Sequence, residues 1–197
     1  MKEVFQNIWD LASPYQSKPE FRNHAKIVLE FAQVLVKIKK AKADIIIPAA
    51  ILHDIGWSKV SEEERSVIFN KKKKYGKEYF AVRHKHQDAG VKLASQILAQ
   101  VKYPKKLIES ILEIISQHDT RKGFLSEEDG LMRDADKLSR FSKIEFWKDV
   151  KKNEYTPQQL YDRLKKHLDE EHFFYSEEAK ELARKELCDR KKEFGNS

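Results

Sequence analysis

Two histidines of this chain are each followed directly by an aspartate, and one of these pairs closes an apolar run. The run extends from Ile45 to Leu52, and His53 and Asp54 follow it. Burial of a polar group without a partner costs about 2–7 kcal/mol, and burial of a charge costs more. A divalent cation offsets this cost because it binds imidazole nitrogen and carboxylate oxygen together. The run therefore predicts a metal site at His53 and Asp54.

Further candidate ligands are spread along the chain. Four of the seven histidines lie on, or at the ends of, predicted apolar helix faces: His24, His53, His86 and His118. A late acidic pair, Asp134 and Asp136, lies in a predicted helix among apolar residues. Helices that pack antiparallel can bring such positions to one end of a bundle, where a metal lies between facing side chains. Mixed imidazole and carboxylate ligands suit manganese, iron, nickel, magnesium or zinc.

The elements that must position these residues are predicted to be helices. Six glycines and five prolines in 197 residues are too few for a β fold with many tight turns. Apolar residues recur at helical spacing, and proline or a polar cap opens several of the segments. The pattern predicts helices over residues 4–12, 19–39, 44–56, 86–98, 104–115, 131–150, 156–167 and 176–194.

Two further predictions concern the chain after the third helix. Gly56 is expected to cap that helix, because glycine commonly follows the last helical residue. Residues 57–83 are expected to form an irregular insertion with short helical pieces. The insertion contains the lysine run Lys71–Lys74, and such a run is more often a solvated surface than a nucleic-acid site.

Composition and charge restrict the class of protein. No apolar run approaches the roughly 20 residues that span a bilayer, and the first residues lack a signal-peptide core, so no membrane partner is expected. The single cysteine, Cys188, cannot form an internal disulfide, so a cytoplasmic protein is expected. The formal charge of +7 favours anionic ligands such as phosphates or nucleic acid. Nucleic acid is less favoured, because the basic residues are spread out and no recognition motif is present.

The candidate ligands occur in an order that resembles the HD superfamily of metal-dependent phosphohydrolases. His24 comes first, then His53 with Asp54, and Asp136 follows much later. Residues 49–56, Ala-Ala-Ile-Leu-His-Asp-Ile-Gly, resemble the core motif of the family. Asp136 lies in the stretch Ala-Asp-Lys-Leu, which is similar to the late motif that supplies the last ligand. As a set these motifs are specific, whereas a single His-Asp pair would be weak.

The resemblance covers roughly residues 24–141 and implies an all-α fold. We expect a single HD-type helical bundle domain over residues 1–197, because a chain of this length fits one domain of ordinary size. Its core motifs would lie in residues 21–141, and the C-terminal helices in residues 156–194 would pack on that core.

The resemblance also implies the roles of individual residues. It implies four ligands for one metal ion: His24, His53, Asp54 and Asp136. Asp134 competes for the last place, but Asp136 matches the Ala-Asp-x-Leu pattern more closely. Asp54 would also orient the attacking water, which gives it a catalytic role. His86 and His118 are further catalytic candidates, because they resemble extra histidines that bind a second metal or the substrate phosphate in some branches.

The function implied is that of a divalent-metal-dependent phosphohydrolase, which cleaves a nucleotide or another small phosphate ester by attack of a metal-bound water. The branch that cleaves cyclic dinucleotides has lysine where this chain has Trp57, and a Gly-Tyr-Pro motif that does not follow His118 here. The small stand-alone bacterial branch therefore matches better. A cation should offset the remaining charge of the substrate, and the candidates are Lys137, Arg133, Arg121 and Lys122.

Two alternatives stay open on the sequence. The first is a binuclear-metal phosphodiesterase, in which His86 and His118 bind a second ion. The second is a non-catalytic, basic helical module that binds nucleic acid and keeps the metal for structure. Metal content would separate the first alternative from a mononuclear enzyme, and salt-dependent binding of DNA or RNA would favour the second.

Overall fold

A computed structural model describes residues 2–69 and 76–195 of the chain, so the lysine run Lys71–Lys74 lies outside the described residues. The described part contains ten α-helices, two short 3₁₀ helices and no strand, which confirms the all-α prediction. The α-helices are α1 Glu3–Ala12, α2 Pro19–Lys39, α3 Ala43–Leu52, α4 Glu62–Phe69, α5 Lys77–Gln100, α6 Lys105–Gln117, α7 Glu127–Ser139, α8 Lys143–Asn153, α9 Pro157–His167 and α10 Glu177–Gly195. The 3₁₀ helices are Ser13–Gln16 and Ile55–Lys59.

The chain divides into two compact units. The first unit consists of Met1–Lys26 and Lys42–Lys122, and the second consists of Ile27–Ala41 and Gly123–Ser197. Helix α2 begins in the first unit and continues into the second. The expectation of a single domain with the C-terminal helices packed on its core stays a prediction.

Helix α3 forms the centre of the first unit. Its residues from Ile45 to Leu52 are all buried, and α1 and α6 pack against it. A helix that is apolar on every side gains its full hydrophobic free energy only when other elements cover it completely. The isoleucine-rich run therefore makes α3 the buried helix around which the first unit packs, and His53 and Asp54 follow directly at its end.

Pro48 lies inside α3, where it removes one backbone donor. The carbonyl of Asp44, four residues earlier, consequently has no helical N–H partner. The hydroxyl of Tyr103 donates a hydrogen bond to that carbonyl at 2.7 Å. Because the acceptor is satisfied from the chain between α5 and α6, α3 continues through the proline.

The prediction that the third helix continues to Gly56 is wrong. Helix α3 ends at Leu52, and Ile55–Lys59 forms a 3₁₀ helix that contains Gly56. A Cβ atom at this position would overlap the carbonyl oxygen of His86 and lie 2.5 Å from the backbone nitrogen of Gly90. Gly56 is thus required because the backbone of α5 passes directly over it, and not because it caps a helix.

The predicted insertion over residues 57–83 is more regular than expected. It contains α4, in agreement with the expected short helical pieces, and it also contains the first turns of α5. Helix α5 begins at Lys77 instead of His86, because Tyr79, Val82 and His86 are buried at helical spacing. Charged residues between these positions conceal the pattern in the sequence.

The second unit contains α7 to α10, and its C-terminal helices agree with the predictions for residues 156–167 and 176–194. The single helix predicted over residues 131–150 is instead two helices, α7 and α8. Ser142 ends the break between them, since its hydroxyl accepts a hydrogen bond from the backbone N–H of Glu145 and caps α8.

No helix within residues 2–69 and 76–195 has the length and apolar character that a membrane span requires.

The close contact at Gly56 generates a prediction about stability. Gly56→Ala should lower the free energy of unfolding by about 1–3 kcal/mol or more, because a methyl group must displace the backbone of α5. Urea unfolding followed by circular dichroism measures this. Gly195→Ala is the matched control, since no atom lies within 4 Å of a Cβ built there. Equal stability of the Gly56→Ala and Gly195→Ala variants would contradict the assigned contact.

Candidate metal centre

His53 is held by the last turn of α3. Its side chain is buried, and its Nδ1–H donates a hydrogen bond to the carbonyl oxygen of Ala50 at 2.9 Å. A carbonyl oxygen can only accept, so Nδ1 carries a proton, and Nε2 has a lone pair whenever the ring is neutral. The helix end therefore fixes both the tautomer and the direction of a nitrogen that can bind a metal.

Three donor atoms of the first unit, among them this nitrogen, form one group. Nε2 of His24, on α2, lies 3.3 Å from Nε2 of His53 and 3.4 Å from Oδ2 of Asp54. Nε2 of His53 lies 3.6 Å from the same Oδ2. Ligand atoms bound at about 2.1 Å to one cation lie about 3.0–3.6 Å apart, so the three atoms have the spacing of ligands that share an ion.

A second donor group lies on the other oxygen of Asp54. Nε2 of His118 is 3.3 Å from Oδ1, and Nε2 of His86 is 3.6 Å from it. Asp119 completes this group, with Oδ2 at 3.4 Å from Nε2 of His86 and 3.6 Å from Nε2 of His118. Oxygen and nitrogen atoms of all four side chains lie within 4.8 Å of one another. The carboxylate of Asp54 is therefore shared between two groups of donors.

The chemistry of these donors fits a bound cation. Nδ1–H of His118 donates to the carbonyl oxygen of Ile115 at 2.9 Å, so Nε2 is the ring nitrogen directed at Asp54, with a proton in the charged form of the ring and a lone pair in the neutral form. Two electron-rich atoms that face each other repel unless a proton or a metal ion lies between them. His86 is fully buried, and neither of its ring nitrogens has a hydrogen-bond partner among residues 2–69 and 76–195. A metal ion would satisfy such nitrogens.

The pKa values of Asp54 and His118 are shifted by the charges around them. Burial raises the pKa of the Asp54 carboxyl, but positive charge on His53 and hydrogen bonding to His118 outweigh it and hold this pKa well below its usual value. Burial lowers the pKa of His118, but the charge of Asp119 and the bond to Asp54 outweigh it and raise this pKa to about 9. The negative charges of Asp54 and Asp119 therefore favour positive charge among these donors.

The structure adds two residues to the predicted site. Asp119 directly follows His118 in the sequence, and its carboxylate contacts both His118 and His86. Nη1 of Arg83 forms an ion pair with Oδ1 of Asp119, which leaves Oδ2 for the two histidines. Arg83 lies one turn before His86 on the same face of α5. That spacing is present in the sequence, but it is informative only once α5 is known to begin at Lys77.

Asp134 and Asp136 both lie on α7, in the second unit. The carboxylate of Asp134 accepts hydrogen bonds from the backbone N–H of Tyr175 at 2.7 Å, and from the backbone N–H and hydroxyl of Ser176 at 2.9 and 2.7 Å. These bonds hold the start of α10. Asp134 therefore has a structural task in the second unit, and the ligand role of Asp136 stays a prediction from its motif.

Three of the four candidate cations for substrate binding have partners inside their own unit. Lys137 donates to the carbonyl oxygen of Phe173, and Arg133 donates to that of Gly123, both in the second unit. In the first unit, Arg121 donates to Glu113 at 2.7 Å. The role of these three residues and of Lys122 in offsetting substrate charge stays a prediction.

Comparison with known proteins assigns the family. The family model of the HD domain matches residues 21–140, which is more than half of the chain. Neither the search of curated proteins nor the search of solved structures found a match. The chain belongs to the HD superfamily. HD domains are generally metal-dependent hydrolases, and the His and Asp groups described above are candidates to hold the metal.

The contacts of Asp134 generate a prediction that separates it from Asp136. Asp134→Ala should lower the free energy of unfolding by about 1–3 kcal/mol or more, because buried donors at the start of α10 lose their acceptor. Isothermal titration with Mn²⁺ on the folded variant should show wild-type affinity. Asp136→Ala is the matched variant, and it should lose Mn²⁺ affinity while its stability changes little. The reverse pattern would assign the last ligand to Asp134.

Proposed function

We propose that this protein is a divalent-metal-dependent phosphohydrolase that acts on a nucleotide or another small phosphate ester. The observation that carries the proposal is the shared carboxylate of Asp54, whose two oxygens each face two histidine Nε2 atoms within 3.6 Å. Membership of the HD superfamily supports the same reaction class. The formal charge of +7 agrees with a phosphorylated, anionic substrate.

The residues that would hold the metal are His24, His53 and Asp54 from the first unit, together with Asp136 on the evidence of its motif. When bound, a divalent cation supplies Lewis acidity, which lowers the pKa of a water ligand and neutralises charge on phosphoryl oxygens. The chain contributes ligands whose orientation is fixed beforehand, because the carbonyl of Ala50 holds the ring of His53.

The catalytic roles follow from what each side chain can donate or accept. Asp54 is held ionised, so its oxygens can accept a hydrogen bond from the attacking water and orient it. His86 and His118 direct Nε2 toward the same carboxylate, and a protonated Nε2 can donate a hydrogen bond to a phosphoryl oxygen. Both histidine side chains are buried, so these interactions are strengthened by the low local dielectric constant.

The proposal predicts loss of both binding and activity when a donor is removed. Loss of a residue that orients a metal ligand typically costs about 10–100-fold in metal affinity. Because His53→Ala and Asp54→Ala each remove a ligand itself, each should reduce metal affinity by more than this and should abolish hydrolysis. A screen of nucleotides and phosphate esters with Mn²⁺, Ni²⁺, Mg²⁺ and Zn²⁺, scored by release of phosphate or pyrophosphate, measures activity. Circular dichroism should show that the helices remain.

The control for this experiment is His84→Ala, because His84 is an exposed histidine on α5. It should bind metal and hydrolyse substrate like the wild type. Unchanged metal stoichiometry in both His53→Ala and Asp54→Ala would contradict the ligand assignment. A wild-type protein that releases no phosphate or pyrophosphate in the whole screen would contradict the proposed function.

The second donor group favours a related candidate function, a phosphodiesterase with two metal ions. His86, His118 and Asp119 surround Oδ1 of Asp54 much as His24 and His53 surround Oδ2. Asp54, His86, His118 and Asp119 would hold a second cation, and two cations together would supply positive charge for the attacking and the leaving oxygen of the reaction.

Metal content distinguishes the two candidates. If the centre is binuclear, elemental analysis of protein equilibrated with Mn²⁺ should give about two ions per chain, and His118→Ala should give about one. If the centre is mononuclear, both proteins should give about one, since the ligands of the first group remain. His84→Ala again serves as control. Fewer than one ion in the His118→Ala protein would contradict the assignment of His118 to a separate group.

A further inference from the structure

Trp57 contacts two of the candidate site residues at once. Its indole Nε1–H donates a hydrogen bond to Oδ1 of Asp54 at 3.1 Å. Its ring lies parallel to the imidazole of His86, with centroids 4.0 Å apart and an interplanar angle of 9°. Asp54 and His86 belong to different segments, the turn after α3 and the middle of α5. One side chain therefore touches both segments inside the donor groups.

The local backbone explains how Trp57 reaches these partners. Asp54 directly precedes the 3₁₀ helix Ile55–Lys59, and the backbone N–H of Trp57 donates to the carbonyl of Asp54 at 3.1 Å. Side chains three residues apart eclipse each other in a 3₁₀ helix, so the indole lies over the carboxylate. Gly56 between them lets the backbone of α5 come close enough for His86 to stack on the indole.

We propose that Trp57 is the positioning residue of the metal centre, which fixes the rotation of the Asp54 carboxylate and the plane of His86 together. This inference rests on the proposed function. Rotation of the carboxylate decides which oxygen faces His24 and His53 and which faces the second donor group. The ring nitrogens of His86 have no hydrogen-bond partner in the described part of the chain that could fix the plane of the ring. The stacked indole fixes this plane instead.

Tryptophan is suited to this task because its indole is an uncharged donor that cannot accept. Its hydrogen bond leaves the negative charge of Asp54 available for a cation. The hydrogen bond from Trp57 therefore orients the Asp54 carboxylate without neutralising its charge.

The test compares two tryptophans that make the same kind of bond in different places. Trp57→Phe removes the indole N–H but keeps an aromatic ring beside His86. Trp147→Phe is the matched control, because Nε1–H of Trp147 donates to Oε2 of Glu193 at 2.7 Å in the second unit. Isothermal titration with Mn²⁺ should show a dissociation constant about tenfold larger for Trp57→Phe than for the wild type, and no change for Trp147→Phe.

Fluorescence supplies a readout that needs no substrate. Mn²⁺ should quench tryptophan emission of the wild type and of Trp147→Phe, and the quenching should largely disappear in Trp57→Phe. A purely structural role for Trp57 would lower the unfolding midpoint without changing Mn²⁺ affinity in the folded variant. Wild-type affinity of Trp57→Phe would overturn the inference and leave the proposed function standing, whereas absence of Mn²⁺ binding by the wild type would overturn both.

A second measurement keeps the test decisive if Trp57→Phe does not fold. The chain has three tryptophans, so the double variant Trp9→Phe with Trp147→Phe retains only the indole N–H signal of Trp57 in a nitrogen–proton correlation spectrum. Addition of Zn²⁺ should shift this signal, because the accepting oxygen of Asp54 gains a cation as neighbour. An unshifted signal in a protein that binds Zn²⁺ would overturn the inference.

Discussion

The mutual repulsion of electron-rich atoms around Asp54 is the constraint on which the first unit depends. Both oxygens of this carboxylate face histidine nitrogens, and a second carboxylate, Asp119, faces two of the same nitrogens. In a largely buried space, these groups are stable together only with positive charge among them, either as protons on imidazole or as a bound cation. The raised pKa of His118 shows the first response, and the HD superfamily is generally associated with the second.

The surrounding fold meets this constraint by fixing three of the donor side chains through the atom that does not face the site. Carbonyls at the ends of α3 and α6 hold Nδ1 of His53 and His118, and Arg83 holds one oxygen of Asp119. Each contact leaves the other atom of its group directed into the site. Ligands that are already oriented lose little conformational freedom when a metal binds, so the protein keeps more of the binding free energy.

The two aspartates of α7 show how the same residue type takes different tasks. Asp134 and Asp136 are two positions apart, which on an α-helix places them about 200° apart around the axis. Asp134 faces the start of α10 and accepts three hydrogen bonds there. The side chain of Asp136 therefore leaves the helix in a different direction, and its role as a metal ligand stays a prediction from its motif.

The sequence alone determined the features that depend on local pattern. The helical class, the buried helix before His53 and the family motifs are readable because periodicity and short-range order report them directly. The structure brings Nε2 atoms of His24, His53, His86 and His118 to within 3.6 Å of the Asp54 carboxylate, and the roles of these residues as ligands stay predictions.

Only the tertiary structure decided the features that depend on contact between distant segments. Gly56 is needed because α5 crosses it, Asp119 joins the site because Arg83 and His86 lie on α5, and Trp57 acts on residues from two elements. Close approach of one backbone to another leaves no periodic signal in either segment, so these contacts could not be derived from the amino-acid sequence alone.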